Sequence, residues 1–192
     1  MGGNQHLSAP RNYAGEREGV QVKPAGDVVK LVSAAPVAIK SSPRIGIVLD
    51  ADLDVAARWQ SLRDRLAPIS VILPASPAQK GTVVKGVLPD SRVGVWVMPN
   101  NVTTGILENF LGALVPVEDP IWAHARKSTA AAHGLGAAFS KVAIAKAEIH
   151  AWLSWQETPG LPFGTAITAK YFDTDTELCT DFVAWFRDVF AT

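Results

Sequence analysis

The chain holds one cysteine, Cys179, among 192 residues. A single thiol excludes an internal disulfide and any zinc site built from cysteines, and it fits a reducing cytoplasm. Neither sign of charge is in excess: 18 Lys and Arg stand against 18 Asp and Glu. Net charge therefore announces no nucleic-acid partner, although a local basic patch stays open. No apolar run approaches the ~18 residues that a membrane helix requires, and the stretch "MGGNQHLSAPRNYAGEREG" has no signal-peptide apolar core. The expected location is the cytoplasm, with no membrane partner.

What is present is the composition of a folded globular protein, 48% hydrophobic and 19% charged. The length suits one sizeable domain. Residues 1–18 are polar and without periodicity, and are read as a disordered or truncated arm. Residues 19–192 are read as one domain, with a sheet core over about 19–115 and a helical part over about 116–192. "GVQVKP" alternates like a short strand. "GDVVKLVSAAPVAIK" predicts a helix capped by Asp27 and kinked at Pro36. "RIGIVLD" is a continuous apolar run of the kind found in strands buried on both faces of a parallel sheet. "DVAARWQSLRDRLA" places Val55, Trp59, Leu62 and Leu66 at helical spacing. "ISVIL", "GTVVKGVLP" and "RVGVWVMP" read as further strands, which gives β-α-β-α-β order and an α/β fold with a mostly parallel sheet. From Gly105 onward the periodicity is helical. Trp152, Trp155, Phe182, Trp185, Phe186 and Phe190 recur on helix faces suited to packing against the sheet.

Chemistry concentrates in "RIGIVLDADLD", where Asp50, Asp52 and Asp54 follow a predicted strand at alternate positions. Acids spaced this way share a face if the chain stays extended. They also lie at the strand end where open α/β sheets place their ligands. Hard cations such as Mg²⁺ take oxygen ligands and are often held by one or two carboxylates plus water and phosphate oxygens. An EF-hand loop is excluded, because Val55 and Ser61 stand where it needs Gly and Glu. Helix capping competes with the cation: a cap explains one aspartate well and three poorly, and both readings stay open on the residues alone.

Glu108, in "TTGILENF", is a second acid at the same sheet edge if the strands are parallel, and equally a dipole-favoured helix N-terminal glutamate. His150, Lys141 and Lys146 sit on helices, where packed or solvated roles are the commoner ones. "HGLGAAFSK" lacks both the preceding strand and the Gly-Lys-Ser/Thr ending of a phosphate loop. No serine sits in a nucleophile-elbow pattern.

"RIGIVLDADLDVAARWQSLRDRL", "VGVWVMPNNVTTGILENFL", "DPIW" and "KAEIHAWLSWQETPGLPFGTAITAKYFD" together resemble a bacterial domain-of-unknown-function (DUF) family related to Toprim proteins. Toprim is the Rossmannoid metal-binding fold of topoisomerases, primases and overcoming-lysogenisation-defect nucleases. Its signature is a glutamate after the first strand and an Asp-x-Asp pair after a later one. The resemblance implies that Asp50 and Asp52 bind Mg²⁺ or Mn²⁺, that Asp54 is a supporting acid or cap, and that Glu108 is a catalytic acid. It also implies an apolar strand with a glutamate turn ahead of "GVQVKP". That place is taken by the polar arm, whose Glu16 and Glu18 precede a strand instead of following one. Asn100 in "MPNN" replaces an expected aspartate and offers a carbonyl oxygen without charge.

A truncated start, a strand supplied by another chain, or a decayed domain would each account for the missing element. The implied function is weak Mg²⁺ or Mn²⁺ binding in a domain related to nuclease-type phosphodiester chemistry, with activity impaired. The implied partners are a nucleic acid or nucleotide, and a homo-oligomer or strand-donating chain. The alternative is a non-enzymatic protein-interaction module that uses the aromatic helical half.

Overall fold

A computed structural model describes residues 19–191 of the chain. The polar arm, with Glu16 and Glu18, lies outside the described residues. Helix α1 (Val28–Ser41) starts at Asp27, whose side chain accepts the Lys30 N–H at 2.8 Å, and it runs on through Pro36. Strand β1 (Arg44–Asp50) leads into α2 (Val55–Leu66), on which Trp59, Leu62 and Leu66 are buried as their spacing predicts. Strands β2 (Thr82–Lys85) and β3 (Arg92–Met98) complete the sheet. Five helices follow: α3 (Leu107–Gly112), α4 (Pro120–Gly134), α5 (Ile144–Leu153), α6 (Phe163–Thr168) and α7 (Glu177–Phe190). No helix among the described residues is long and apolar enough to cross a membrane.

The fold is mixed α/β. Its sheet, in the order β1-β3-β2, is also mixed: β1 and β3 are parallel, whereas β2 is antiparallel to β3. This corrects the expectation of a mostly parallel sheet, because two predicted strands form no ladder. "GVQVKP" lies exposed and unpaired among the described residues. "ISVIL" begins in a 3-10 turn and sends Val71 and Leu73 into the core while Ile72 faces out, with no ladder partner among the described residues. Strand propensity without a partner backbone makes an extended segment, not a strand.

The expectation that "RIGIVLD" is buried on both faces is also corrected, because β1 lies at the edge of the sheet. "RVGVWVM" is the central strand, buried along nearly its whole length on both faces. "RIGIVLD" is an edge strand: Ile47 and Leu49 are buried against α1 and α2, while Val48 on the opposite face is 39% exposed. That opposite face of the sheet carries α7. Gly46 and Gly94 stand in register on β1 and β3 and form a trough for it. A Cβ on Gly94 would lie 2.1 Å from Val189 Cγ2, and one on Gly46 would lie 3.1 Å from the Phe190 ring. Trp96 meets Phe182 edge-on at 5.2 Å and Trp185 at 5.7 Å, so these aromatics pack on the sheet as expected. Trp152 is buried farther away, against Phe172 and Trp122, with its indole N–H on the Asp119 carboxylate. Trp155 and Phe186 remain substantially exposed.

Candidate functional site at the acidic sheet edge

The acids of "LDADLD" diverge as the chain leaves β1. Asp50 is the last residue of the strand, and its Oδ1 accepts the Leu107 N–H at 2.9 Å, which ties β1 to the start of α3. Ala51 still pairs with the Met98 carbonyl. The backbone then turns through Asp52 in the left-handed region, φ 54°, where an Asp is tolerated better than most residues. Asp52 and Gly105 exchange two backbone hydrogen bonds, of 2.8 and 2.9 Å. The Asp52 carboxylate is ion-paired with Arg58, whose Nε also donates to the Asp50 carbonyl. Asp54 is the N-cap of α2 and accepts the Ala57 N–H at 2.9 Å.

The three aspartates thus have three separate tasks. Asp54 caps, Asp52 answers a guanidinium, and Asp50 faces α3. Because the left-handed turn at Asp52 ends the extended run, the common face expected of an uninterrupted strand does not continue through the three positions.

Glu108 completes the site from the neighbouring strand end. It stands in the first turn of α3, only 6% exposed, and pairs with Lys146 of α5 at 3.1 Å. Burial pushes the Asp50 carboxyl above its ordinary value; the Leu107 N–H pulls it back, repulsion from Asp52 and Glu108 raises it further, and Lys146 lowers it. Asp50 and Glu108 therefore sense one another across the C-terminal end of a parallel strand pair, with a lysine ammonium as their counter-ion. Among the described residues no group of three or more His, Cys, Asp or Glu side chains gathers closely enough to hold a metal ion.

Asn100 spends its side-chain oxygen on its own turn, accepting from the N–H groups of Val102 and Thr103 and from the Thr103 hydroxyl. His150 is exposed beside Phe163, with ring centres 5.2 Å apart, away from the acids described above. Three residues with larger roles than their sequence context suggested are Lys146, Arg58 and Asn101. Asn101 is buried; it accepts the Val97 N–H at 2.7 Å and donates to the Gln79 carbonyl, fixing the end of β3. Arg58 carries a readable signal, since a helix residue four positions past the cap looks back over the entering turn. Lys146 carries none, because its meeting with Glu108 depends on how α5 packs on α3.

The family model described as "Protein of unknown function (DUF3226)" matches residues 4–191. The chain belongs to that family. No curated protein and no solved structure matches it. For this DUF3226 chain, chemical inference accordingly rests on the acidic edge itself.

Proposed function

We propose that this DUF3226 chain is a Toprim-like domain whose acidic edge holds one divalent cation weakly, Mg²⁺ or Mn²⁺, beside a phosphate-bearing ligand, without turning over phosphodiesters. The observation that carries this reading is the juxtaposition of Asp50 and Glu108 at neighbouring ends of the parallel strands, balanced by Lys146. A Mg²⁺ ion needs only one or two protein carboxylates when waters and phosphate oxygens complete its shell. Asp50 and Glu108 meet that demand. The ion would have to displace Lys146 from Glu108, which makes binding weak. When bound, such an ion would neutralise charge on phosphoryl oxygens.

The same residues do not fit a two-ion clamp. Asp52 is engaged by Arg58, Asp54 by the start of α2 and the Asn100 amide by its own turn, so among the described residues no further acid of this edge is free for a second ion. Lys146 and Arg58, paired with Glu108 and Asp52, are cationic groups that a phosphate of a nucleic acid or nucleotide would meet. The test is a Mn²⁺-supplemented cleavage assay on single- and double-stranded DNA and RNA. The expected result is no cleavage above that of the Asp50→Ala plus Asp52→Ala variant. Cleavage by the unaltered chain that the double substitution abolishes would overturn the loss of turnover. Cleavage that survives the double substitution would overturn the site.

A second reading, a non-enzymatic interaction module, is favoured by one specific observation. Val48 and Phe186 leave apolar surface exposed, Val48 on a strand edge that is unpaired among the described residues.

A further inference from the structure

The outer edge of β1 has no strand partner among the described residues. The Arg92 N–H donates to the Pro43 carbonyl, and the Ala51 N–H donates to the Met98 carbonyl. With the parallel register of β1 and β3, these bonds fix the phase of the ladder. Odd-numbered residues of β1 bond to β3, and the N–H and C=O groups of Arg44, Gly46, Val48 and Asp50 point away from it. Two of these outward groups are engaged: the Arg44 carbonyl accepts the Ser42 hydroxyl at 3.2 Å, and the Asp50 carbonyl accepts from Arg58 at 3.1 Å. Edges of this kind are ordinarily blunted by charge, proline or a bulge. The stretch Ile45–Leu49 has none of these. Beside it, Phe186 of α7 is 37% exposed and stacks on Phe190, with ring centres 4.7 Å apart.

We infer that this edge pairs with the same edge of a second copy of the chain, as an antiparallel β1–β1 ladder centred on Ile47. Three features of β1 commit it to its own copy. First, antiparallel hydrogen-bonded pairs must match outward-facing residues with outward-facing residues. Centring on Ile47 does so, because Gly46 of each copy falls opposite Val48 of the other, giving four backbone bonds. Second, directly opposed side chains share a face. The absent side chain of Gly46 then leaves room for the half-exposed Val48. Third, the two ends carry opposite charge: Arg44, whose guanidinium in one copy donates to the Pro43 and Asp90 carbonyls, falls opposite Asp50 of the other copy, whose carboxylate accepts the Leu107 N–H, just beyond the four bonds. A two-fold axis perpendicular to the sheet keeps both α7 helices on one face. The polar arm is a poor alternative cover, because residues 1–18 lack the apolar alternation that this edge would bury. The inference does not rest on cation binding.

The test is sedimentation of the full chain over a range of concentrations. The unaltered chain is expected at twice the monomer mass. Val48→Pro removes only an outward N–H and leaves the β1–β3 ladder intact, and Val48→Lys adds charge to the edge. Each should weaken dimerisation roughly tenfold or more while circular dichroism shows the fold retained. A monomer at every concentration, as would follow if residues 1–18 covered the edge, would overturn the inference. So would a dimer indifferent to both Val48 substitutions.

Discussion

Lys146, in the first turn of α5, places its ammonium 3.1 Å from Glu108 Oε1, in the first turn of α3. The lysine side chain is 57% exposed and the glutamate 8%, so the pair is buried at one end and wet at the other. Its removal is informative for that reason. Lys146→Met should strand a buried carboxylate and destabilise the chain by about 1–3 kcal/mol. The loss should fall below the ~3–5 kcal/mol of a fully buried pair, because water reaches the lysine side. Adding Glu108→Gln should recover much of it. Thermal melts of the three proteins check this, at roughly 2–4 °C per kcal/mol for a chain of this size.

Asp50 should show the opposite sign. Burial, reinforced by Asp52 and Glu108, raises its carboxyl in the folded, metal-free protein. The native state then binds the proton more tightly than the unfolded chain, so stability falls as pH rises from the ordinary aspartate value of ~3.9 up to the raised native one. Above that window the cost is fully present. Asp50→Asn keeps an oxygen for the Leu107 N–H and removes the charge. It should stabilise the chain at neutral pH and flatten this part of the pH profile. Denaturant midpoints across the acid range measure both effects.

Asp52 is set by its backbone as much as by its charge. At φ 54°, a Cβ-bearing residue pays ~1–2 kcal/mol that glycine avoids. Asp52→Gly and Asp52→Ala both lose the Arg58 ion pair, yet Asp52→Gly should be the more stable by about 1 kcal/mol. Equal stabilities would show that the left-handed turn relaxes when the carboxylate is gone. Urea unfolding of the two variants decides between these outcomes.

Gly94 is the point of closest approach between α7 and the sheet. Gly94→Ala should cost about 1–3 kcal/mol through overpacking against Val189, and Val189→Ala in the same chain should relieve part of it. The double variant should therefore be less destabilised than the two single losses added together. Chemical denaturation of the single and double variants supplies the cycle.

Local signals carried much of this architecture. Asp27 caps the helix that its sequence context implied, Asp54 takes the cap that competed with the cation, and α2 buries the residues its periodicity selected. Partnership was less legible. "RIGIVLD" and "RVGVWVM" are equally apolar, and only the identity of their neighbours makes one an edge and the other a centre. "ISVIL" has strand composition and no ladder for the same reason. At the site, Asp50 and Glu108 could be placed on one edge from strand order alone. The left-handed turn at Asp52, the ion pair with Arg58 and the arrival of Lys146 could not, because each depends on tertiary packing.

The most direct test of the proposed cation site is a Mn²⁺ titration followed by electron paramagnetic resonance, on the unaltered chain, Asp50→Asn and Lys146→Met. The account predicts weak, saturable binding of one ion per chain, loss of that binding in Asp50→Asn, and tighter binding in Lys146→Met, where the competing ammonium is gone. Binding unchanged by Asp50→Asn, or no gain in Lys146→Met, would contradict it.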